Sequence, residues 1–376
     1  MDILFVSDVL YPYITGGVEA TEYNEMVELS KKHKVSVISF GYSGNDAFKA
    51  HGINYIRVLH AGKGSLYTKS GSRSILSSLR FAMGLPSQMP VGEAAPDVIV
   101  ANAFPYLHLP FLRRYCNRNG CKLVIDVAEV WDGAQWANYI GFPGRLGKMI
   151  ADRTLRLGDA YIANSSSTAK GLKMLGIDSG AISVFSPFLD DKVISAANGT
   201  ARKRRIVYAG RLNDFKRLDK WLDVFAKAKE KVNNAEGLII GDGPWKGYLL
   251  ERIVKMGLGG SVRVIPFYKD KKMLYKTIRE SALLLQMSER EGLSAIVLES
   301  IALGTPVALP DYTPIPGEVR AMCIVADEKK LPVIVAKVLC GKMPQKARAA
   351  GKRLRPYYIK NVNAEFSEIF RKLGVV

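Results

Sequence analysis

The chain of 376 residues has few of the residue types that hold structural metals or form disulfides. Its four cysteines form no C-x-x-C unit, and its four histidines do not occur at metal-ligand spacing. These residues are Cys116, Cys121, Cys323, Cys340, His33, His51, His60 and His108. The shortage excludes a zinc ribbon or a disulfide scaffold, and it favours a reduced, cytoplasmic protein.

Long apolar runs and low-complexity segments are lacking as well. Asp2 follows Met1 directly, and the apolar run from Ile3 to Val6 is too short for a signal core or a membrane span. No Asp-x-Asp pair occurs, so a metal held by paired aspartates is not indicated. We therefore expect a cytoplasmic protein that requires no metal and no other cofactor. Peripheral attachment to the inner face of the cell membrane is a further option.

Positive charge, by contrast, is abundant. The 54 lysines and arginines oppose 35 acidic residues, which gives a net charge of +19. Such a surplus favours anionic partners: the phosphates of a small donor, an acidic membrane surface or nucleic acid. Charge alone does not choose among them. The length and the apolar content of 48% are sufficient for two packed α/β domains.

Short apolar runs, each the length of a buried strand, alternate along the chain with helical stretches. This alternation favours parallel sheets that are covered by helices on both faces. The runs fall into two series, at 3–7, 35–40, 98–101, 123–126 and 161–164, and at 206–209, 238–241, 262–266, 283–287 and 307–309. The basic stretch from Ala196 to Arg205 is the predicted linker. The expected ligand site is a cleft at the carboxyl ends of the strands.

Two glutamates, Glu291 and Glu299, stand at either end of a glycine-containing turn and the helix that follows it. Gly304 is expected just beyond the end of this helix. Glu291 precedes the helix, whose unpaired N–H groups favour an anion such as phosphate. A carboxylate beside an anion site suits a ligand with both phosphate and hydroxyl groups, such as a nucleotide-sugar. The alternative is a solvated acidic loop with Glu299 in an ordinary surface pair.

Glycine-rich turns follow several of the predicted strands. The segment Gly210-Arg211-Leu212, with Lys216 shortly after it, places two cations where a diphosphate could sit. Its alternative is plain surface basicity. The segment Gly241-Asp242-Gly243-Pro244 predicts a tight strand-to-helix turn, in which Asp242 is structural rather than catalytic. Gly16-Gly17 lies between a strand and a helix and is a weak signal alone.

Taken in order, these glycine turns and the paired glutamates resemble the signature of the retaining, family-4-like glycosyltransferases (glycosyl transferases group 1). The resemblance runs from Gly16 to Glu299. It implies the GT-B fold, which is α/β with two Rossmann-like, doubly wound parallel-sheet domains facing a cleft. The implied domains are residues 1–188 on the acceptor side and 189–360 on the nucleotide-sugar side. A terminal helix within 361–376 is expected to pack back on the first domain.

The resemblance also implies an activity and its residues. A hexosyl group would pass from a UDP- or GDP-sugar to a glycan or lipid-linked acceptor with retention of configuration. In front-face attack the leaving phosphate helps to accept the acceptor proton, so no enzymic nucleophile is needed. Glu291 would contact the sugar and Glu299 the ribose, while Arg211 and Lys216 stabilise the leaving diphosphate. The implied donor residues are Gly16, Gly17, Arg211, Lys216, Phe267, Tyr268, Glu291, Gly292, Leu293, Ser294 and Glu299, with Phe267 and Tyr268 near the base.

The first half departs from the family in one respect. Many members carry a histidine after the strand that corresponds to residues 123–125, close to the transferred sugar. This chain has Asp126-Val127-Ala128-Glu129-Val130-Trp131-Asp132 there, without a histidine. Asp126, Glu129 or Asp132 would then meet the sugar or the acceptor, with Asp126 and Glu129 as catalytic candidates. The residues leave the choice open, and each acid could instead cap a nearby helix.

The segment from Lys63 to Met89 mixes basic and apolar residues that could lie on an anionic membrane. An ordinary domain-covering helix is the alternative. Two other functions are alternatives to glycosyl transfer. A sugar-nucleotide epimerase would share the two-domain architecture, but it needs histidine and carboxylate chemistry that the sequence does not assemble. A basic nucleic-acid-binding protein would show exposed aromatics among basic residues or a known binding motif, and neither is found, so nucleic acid is not an expected partner.

Overall fold

The structure, a computed structural model, describes residues 1–13, 17–41, 46–60, 74–141, 143–190, 194–195, 202–268, 270–342 and 351–376. The chain forms two compact units. Unit 1 is Met1–Phe188 together with Pro356–Val376, and unit 2 is Leu189–Arg355. The predicted linker differs from the structure, because Lys203–Arg205 already belong to the first strand of unit 2.

Unit 1 contains a parallel sheet of seven strands in the order β3-β2-β1-β4-β5-β6-β7. Its strands are β1 (Asp2–Val6), β2 (Lys34–Gly41), β3 (Asn54–His60), β4 (Val98–Asn102), β5 (Lys122–Val127), β6 (Ala160–Ala163) and β7 (Ile182–Val184). Its helices within the first segment are α1 (Gly17–Leu29), α2 (Asp46–Lys49), α3 (Ile75–Gly84), α4 (Leu109–Asn119), α5 (Gly133–Ile140), α6 (Gly144–Thr154) and α7 (Ser166–Met174). The parallel, doubly wound sheet confirms the predicted fold class.

Unit 2 repeats this plan with a parallel sheet of six strands in the order β10-β9-β8-β11-β12-β13. Its strands are β8 (Lys203–Ala209), β9 (Glu236–Ile240), β10 (Val262–Ile265), β11 (Ser281–Leu285), β12 (Val307–Pro310) and β13 (Ile324–Ala326). Its helices are α8 (Leu218–Lys229), α9 (Lys246–Lys255), α10 (Lys271–Arg279), α11 (Ala295–Ala302), α12 (Gly317–Arg320) and α13 (Leu331–Leu339). Each sheet reverses its strand order once, next to its first strand, as in the Rossmann fold.

The two faces of the first sheet carry separate apolar cores. Leu4 and Val6 pack into one core, and Ile3 and Phe5 into the other, because successive side chains of a strand point to opposite faces. A strand that is covered on both faces needs apolar residues at consecutive positions. This requirement explains why the central strands were visible in the sequence as short apolar runs.

The second segment of unit 1 ends in α14 (Val362–Lys372). Its buried residues Val362, Phe366, Ile369 and Phe370 complete the core on one face of the first sheet. The ring of Phe366 lies 5.5 Å from that of Phe185. The returning segment begins at Pro356, whereas the sequence placed the return at residue 361.

Candidate active site

The strand order of unit 2 indicates where a ligand would bind. β8 and β11 are parallel neighbours at the point where the order reverses. Ligands of open α/β sheets bind beyond the carboxyl ends of the strands at such a point. The loops 210–217 and 286–294 leave the sheet there, after β8 and β11 respectively. Both loops contain residues that the sequence assigned to the donor.

Backbone and side-chain bonds hold these two loops against each other. The N–H of Glu289 donates to the carbonyl of Phe215 at 2.8 Å. The guanidinium of Arg217 pairs with the Glu289 carboxylate. The hydroxyl of Thr313 donates to the carbonyl of Ser288 at 2.9 Å. The loops are therefore fixed before any ligand binds, and they present their remaining side chains in a set arrangement.

Lys216 and Glu291 meet where the two loops touch. The Nζ of Lys216 lies 2.6 Å from Oε1 of Glu291, and the side chains are 15% and 10% exposed. The sequence assigned Lys216 to the diphosphate and Glu291 to the sugar as separate contacts. Direct contact places a cation suited to phosphate beside a carboxylate suited to a hydroxyl.

Gln286 holds the Glu291 carboxylate from a second side. It follows β11 directly, and its side-chain N–H₂ donates to Oε1 of Glu291 and, at 2.8 Å, to the hydroxyl of Ser288. Gln286 is only 2% exposed. With Oε1 of Glu291 bonded to both Lys216 and Gln286, the carboxylate has one preferred orientation.

Glu299 lies on α11 and is 5% exposed. The hydroxyl of Tyr275 on α10 donates to its Oε1 at 2.6 Å, and Nζ of Lys271 lies 3.2 Å from the same oxygen. Burial, reinforced by this carboxylate, raises the pKa of Tyr275 well above its usual value, so the phenol keeps its proton. The alternative of an ordinary exposed surface pair does not describe Glu299, because its carboxylate is buried.

The helix α11 begins and ends as the sequence indicated. Ser294 precedes it in an extended conformation, and its hydroxyl does not cap the first turn. The anion site predicted beside Gly292 and Leu293 would use the N–H groups of that turn, and it stays a prediction. At the other end Gly304 has φ of +75°, and the N–H of Thr305 donates to the carbonyl of Ser300 at 2.8 Å. This six-to-one bond is a Schellman termination.

The Gly-Asp-Gly-Pro turn supports the loop that carries Arg211. The N–H of Leu212 donates to the carbonyl of Asp242 at 3.0 Å. A Cβ at Gly243 would lie 2.6 Å from the carbonyl oxygen of Leu212, so only glycine allows the two turns to pack this closely. The Asp242 carboxylate accepts from the N–H of Gly243 and from Lys246. The turn is architectural, and Arg211 is exposed on the loop above it.

Phe267 and Tyr268 follow β10 on the same sheet edge as these loops. Phe267 is 48% exposed. Tyr268 is partly buried, and its hydroxyl accepts from Thr277 at 3.3 Å. An exposed ring next to a tethered one is compatible with stacking against a planar base.

In unit 1 the predicted glycine loop is described only in part. Gly17 is the exposed first residue of α1, whereas Gly16 lies outside the described residues. Glu19 lies in the first turn of α1, where an acid complements the helix dipole.

The three acids that follow or end β5 have different surroundings. Asp132 caps α5 by accepting from the N–H of Gln135 at 2.8 Å, which matches the helix-cap alternative. Asp126 is 7% exposed, and burial raises its pKa to about 7. Glu129 is partly exposed and accepts from the indole N–H of Trp131 at 2.7 Å. Of the three, Glu129 is placed best to meet a ligand.

Asp126 belongs to a buried polar group that the sequence did not reveal. Its neighbours include Glu22 and Glu25 on α1, which are 3% and 0% exposed. Asn102 donates to Glu22 at 2.5 Å, but neither carboxylate oxygen of Glu25 has a hydrogen-bond partner in the described structure. Burial, with Asp126 as the next cause, raises the pKa of both glutamates well above the usual range. These carboxyls therefore favour their protonated forms.

Aromatic rings surround Glu129 at the carboxyl ends of β4 and β5. Trp131 lies 5.2 Å from Trp136 and 4.9 Å from Tyr139, measured between ring centroids. Phe104 and Tyr106 extend the group from the loop after β4. Phe104, Trp131 and Tyr139 are partly exposed. We call these five rings the aromatic cluster.

The predicted membrane segment is described only from Ser74 onwards, and Lys63, Lys69 and Arg73 lie outside the described residues. Its helix α3 buries Ser78 and Phe81 and exposes four large apolar side chains. These are Ile75, Leu76, Leu79 and Met83, with exposures of 56%, 57%, 43% and 79%. Among the described residues no helix has the length and apolar character that crossing a membrane requires, and no three potential ligands cluster as a metal site would.

The sequence missed the residues that hold the two glutamates. Gln286 stands at the end of the apolar run Leu283–Leu285, where a polar residue is the one available signal. Tyr275 carried no signal, because its bond to Glu299 depends on the packing of α10 against α11. Contacts between distant segments of this kind do not appear in local patterns.

Two family models match the sequence. The model "Glycosyltransferase Family 4" matches residues 15–193, and "Glycosyl transferases group 1" matches residues 190–323. The matches together extend over both units, and the second contains Lys216, Glu291 and Glu299. No curated protein sequence matches the chain at a significant level.

Solved structures resemble the chain over nearly its whole length. HepE of Anabaena in complex with UDP has a TM-score of 0.72 at 15% identity, covering 99% of this chain and 100% of that one. The lipopolysaccharide outer core galactosyltransferase WaaB has a TM-score of 0.66 at 18% identity, covering 98% and 99%. Sucrose-phosphate synthase from Thermosynechococcus elongatus has a TM-score of 0.69 at 12% identity, covering 99% of each. These similarities show the GT-B fold.

Proposed function

Because the chain belongs to the GT-B glycosyltransferases that the two models describe, we propose that it transfers a hexose from a UDP-sugar to a saccharide or lipid-linked acceptor. The observation that carries the proposal is the contact between Lys216 and Glu291 at the switch point of the second sheet. In this contact an ammonium group that can bind phosphate lies 2.6 Å from a carboxylate that can accept hydrogen bonds from sugar hydroxyls. A nucleotide-sugar requires that combination.

The parts of the donor can be assigned to residues of unit 2. Lys216, Arg211 and the first turn of α11 bind the diphosphate. Glu291, oriented by Gln286, accepts hydrogen bonds from the sugar. Glu299 accepts from the ribose. Its carboxylate is presented by Tyr275 and Lys271, whose bonds fix it against rotation. Phe267 and Tyr268 contact the nucleotide base.

Uridine is the proposed base because three similar structures, all of HepE, contain a uridine nucleotide. HepE was crystallised with UDP and glucose, with UDP alone, and with UDP-glucose. GDP remains the alternative donor nucleotide, and a direct comparison of UDP with GDP separates the two.

We propose front-face attack with retention of configuration. The bond from the anomeric carbon to the donor phosphate breaks, and its electron pair leaves with the diphosphate. The acceptor hydroxyl attacks from the same face, and its proton passes to the departing phosphate oxygen. Lys216 and Arg211 stabilise the charge that develops on the diphosphate, so electrostatic stabilisation supplies most of the catalysis.

The phosphate assignment predicts weaker binding of UDP when either cation is removed. Arg211→Ala and Lys216→Ala should each lower the affinity by roughly 30-fold, since a charged hydrogen bond contributes about 2 kcal/mol. Calorimetric titration with UDP and GDP measures this effect. Lys255→Ala, which removes an exposed lysine of α9, is the charge-matched control. Parental affinity in both variants would remove the proposed diphosphate site.

Turnover should persist in excess EDTA, since Arg211 and Lys216 provide the positive charge that a metal supplies in other transferases. The rate of sugar release or transfer from the donor, measured with and without EDTA, tests this. Loss of the rate in EDTA, with recovery on adding magnesium or manganese, would contradict the proposed chemistry.

We propose that the protein contacts an anionic membrane through α3. The exposed apolar side chains of α3 and the net charge of +19 favour this contact. Binding to phosphatidylglycerol vesicles tests this contact directly. A variant with Leu76→Ser and Met83→Ser should bind the vesicles less than the parent. Equal binding would remove α3 from the membrane contact.

A further inference from the structure

A basic groove lies between α5 and α6 in unit 1, outside the donor residues. It has a volume of about 350 Å³ and is lined by Gly133 of α5 and by Arg145, Lys148, Met149, Asp152, Arg153 and Arg156. Four of these side chains are cationic and one is acidic. The single acid, Asp152, is already paired with Lys148. Three arginines therefore supply charge that the groove itself does not neutralise.

The three arginines are available to a ligand. Arg145, Arg153 and Arg156 are exposed, and the described part of the chain offers none of them an ion pair or a hydrogen bond to its guanidinium. Guanidinium groups bind carboxylate and phosphate through two parallel hydrogen bonds. Converging on one concave surface, three such groups favour an anionic ligand over a neutral one.

Close packing of the two helices fixes the shape of the groove. A Cβ at Gly144 would lie 2.6 Å from the backbone nitrogen of Ala137, and a Cβ at Gly147 would lie 2.6 Å from the ring of Trp136. The helices can approach this closely because both positions are glycine. The spacing between the wall at Gly133 and the α6 arginines, Arg145 and Arg153, is thus set by the close contacts of Gly144 with backbone and of Gly147 with a buried ring.

The aromatic cluster adjoins the groove. Trp131 stands two residues before Gly133, and Trp136 belongs to the same helix wall. On the other side, burial and then the charges of Glu129 and of Asp152 in the groove raise the pKa of Tyr106, so this ring of the cluster lies near the groove. Partly exposed aromatic rings beside a carboxylate, here Glu129, match the two needs of a sugar, an apolar ring face and hydroxyl donors.

We propose that this surface binds an anionic saccharide acceptor, with its negatively charged group in the groove and its sugar ring against the aromatic cluster. The acceptor role rests on the proposed glycosyl transfer. Glu129 accepts a hydrogen bond from a hydroxyl of the bound sugar. Of the three acids at the end of β5, it is the one that is neither buried nor a helix cap, and the proposal gives it a function. The negative group is a carboxylate or a phosphate, because the arginines recognise both.

The test is binding of a tetrasaccharide of alternating hexose and hexuronate, compared with its carboxyl-reduced, neutral counterpart, by calorimetry in saturating UDP. Saturating UDP keeps either ligand from the diphosphate site. Arg145→Gln combined with Arg156→Gln should weaken binding of the anionic tetrasaccharide about tenfold or more and leave the neutral one within twofold. Arg114→Gln combined with Arg118→Gln, which removes two exposed arginines of α4, controls for net charge and should bind both like the parent.

Trp131→Ala tests the aromatic part separately, and it should weaken both tetrasaccharides. A sugar phosphate, glucose 1-phosphate, should compete with the anionic tetrasaccharide if phosphate is also accepted. Parental binding in the groove variant, or no binding of the anionic tetrasaccharide by the parent at millimolar concentration, would overturn the proposal. The proposal would also be overturned if the groove variant lost binding to phosphatidylglycerol vesicles but kept its binding of both tetrasaccharides. The groove would then be a membrane contact.

The same variants separate this proposal from the donor assignment. UDP affinity should be unchanged in the groove variant, since its residues lie in unit 1 and the donor residues in unit 2. A protein that binds neither UDP nor GDP but still binds the anionic tetrasaccharide through the arginines would refute the proposed transferase and retain the groove as a saccharide site.

Discussion

Glu291→Ala should lower the transfer rate about 100-fold or more while leaving UDP affinity at or above that of the parent. The side chain contacts the sugar, and its contribution grows as positive charge develops at the anomeric carbon. Binding of UDP does not depend on this side chain, because UDP lacks the sugar that Glu291 contacts. Removal of Glu291 also frees Lys216, its partner at 2.6 Å, for the phosphate. Single-turnover transfer and calorimetry with UDP measure the two effects.

Glu299→Ala is the matched comparison and should fail differently. The ribose is common to UDP and to the intact donor, so affinity for both should fall. Tyr275→Phe, which removes the hydrogen bond that orients Glu299, should reproduce part of this loss. Equal loss of UDP affinity in the Glu291 and Glu299 variants would show that the sugar and ribose roles are divided wrongly. No effect in either would leave both glutamates without a role in binding the donor.

The free energy of unfolding of the parent should fall as the pH rises above neutrality. Glu25 has a raised pKa in the folded state because of burial and the nearby carboxyls, so the folded protein keeps a proton that the unfolded chain has released. The folded state then binds more protons, and stability decreases with pH at up to about 1.4 kcal/mol per pH unit for each such group. Glu22 acts in the same direction.

Two other groups limit the pH range in which this slope can be measured. The pKa of Asp126 is about 7, so its contribution is complete soon above neutrality. Burial lowers the pKa of His108 to about 4, which makes stability rise with pH between that value and its ordinary 6.5. The measurement therefore belongs between about pH 7.5 and 8.5, where His108 is almost wholly neutral in both states.

Glu25→Met should flatten this dependence and should stabilise the protein near pH 8, because it removes a buried carboxyl whose ionised form the fold disfavours. Urea unfolding across this pH range, followed by the fluorescence of Trp131 and Trp136 in unit 1, tests it. Glu28→Gln, on the same helix but in an ion pair with Lys31, is the control and should keep the parental slope. An unchanged slope in Glu25→Met would contradict the assignment of a buried, protonated carboxyl.

The sequence predicted the sheets better than their edges. Central strands such as β4 and β11 are buried on both faces and need consecutive apolar residues, which are visible in any local window. The edge strand β3 mixes Asn54, Tyr55 and Arg57 with apolar residues, and it was not predicted. Among the described residues no strand pairs with its outer side. The first residues of β8, Lys203–Arg205, resembled a linker because two of the three are exposed.

The candidate donor residues could be proposed from the sequence because they lie in short local patterns. Gly210–Lys216 and Glu291–Glu299 are short segments whose spacing expresses a turn or a helix. The supports of these residues were not predictable, because Gln286 and Tyr275 act across segments that only the fold brings together. The same holds for the buried group at Asn102 and Glu22, which are 80 residues apart.

The composition of unit 1 from two segments, with all of unit 2 between them, has a consequence for biosynthesis. Val362, Phe366, Ile369 and Phe370 are part of the core on one face of the first sheet. A ribosome finishes residues 189–355 before it makes them. Until they are made, that face of the first sheet lacks part of its cover, although the strands of unit 1 have all been synthesised. During this interval the nascent chain exposes apolar surface on unit 1, to which a chaperone can bind.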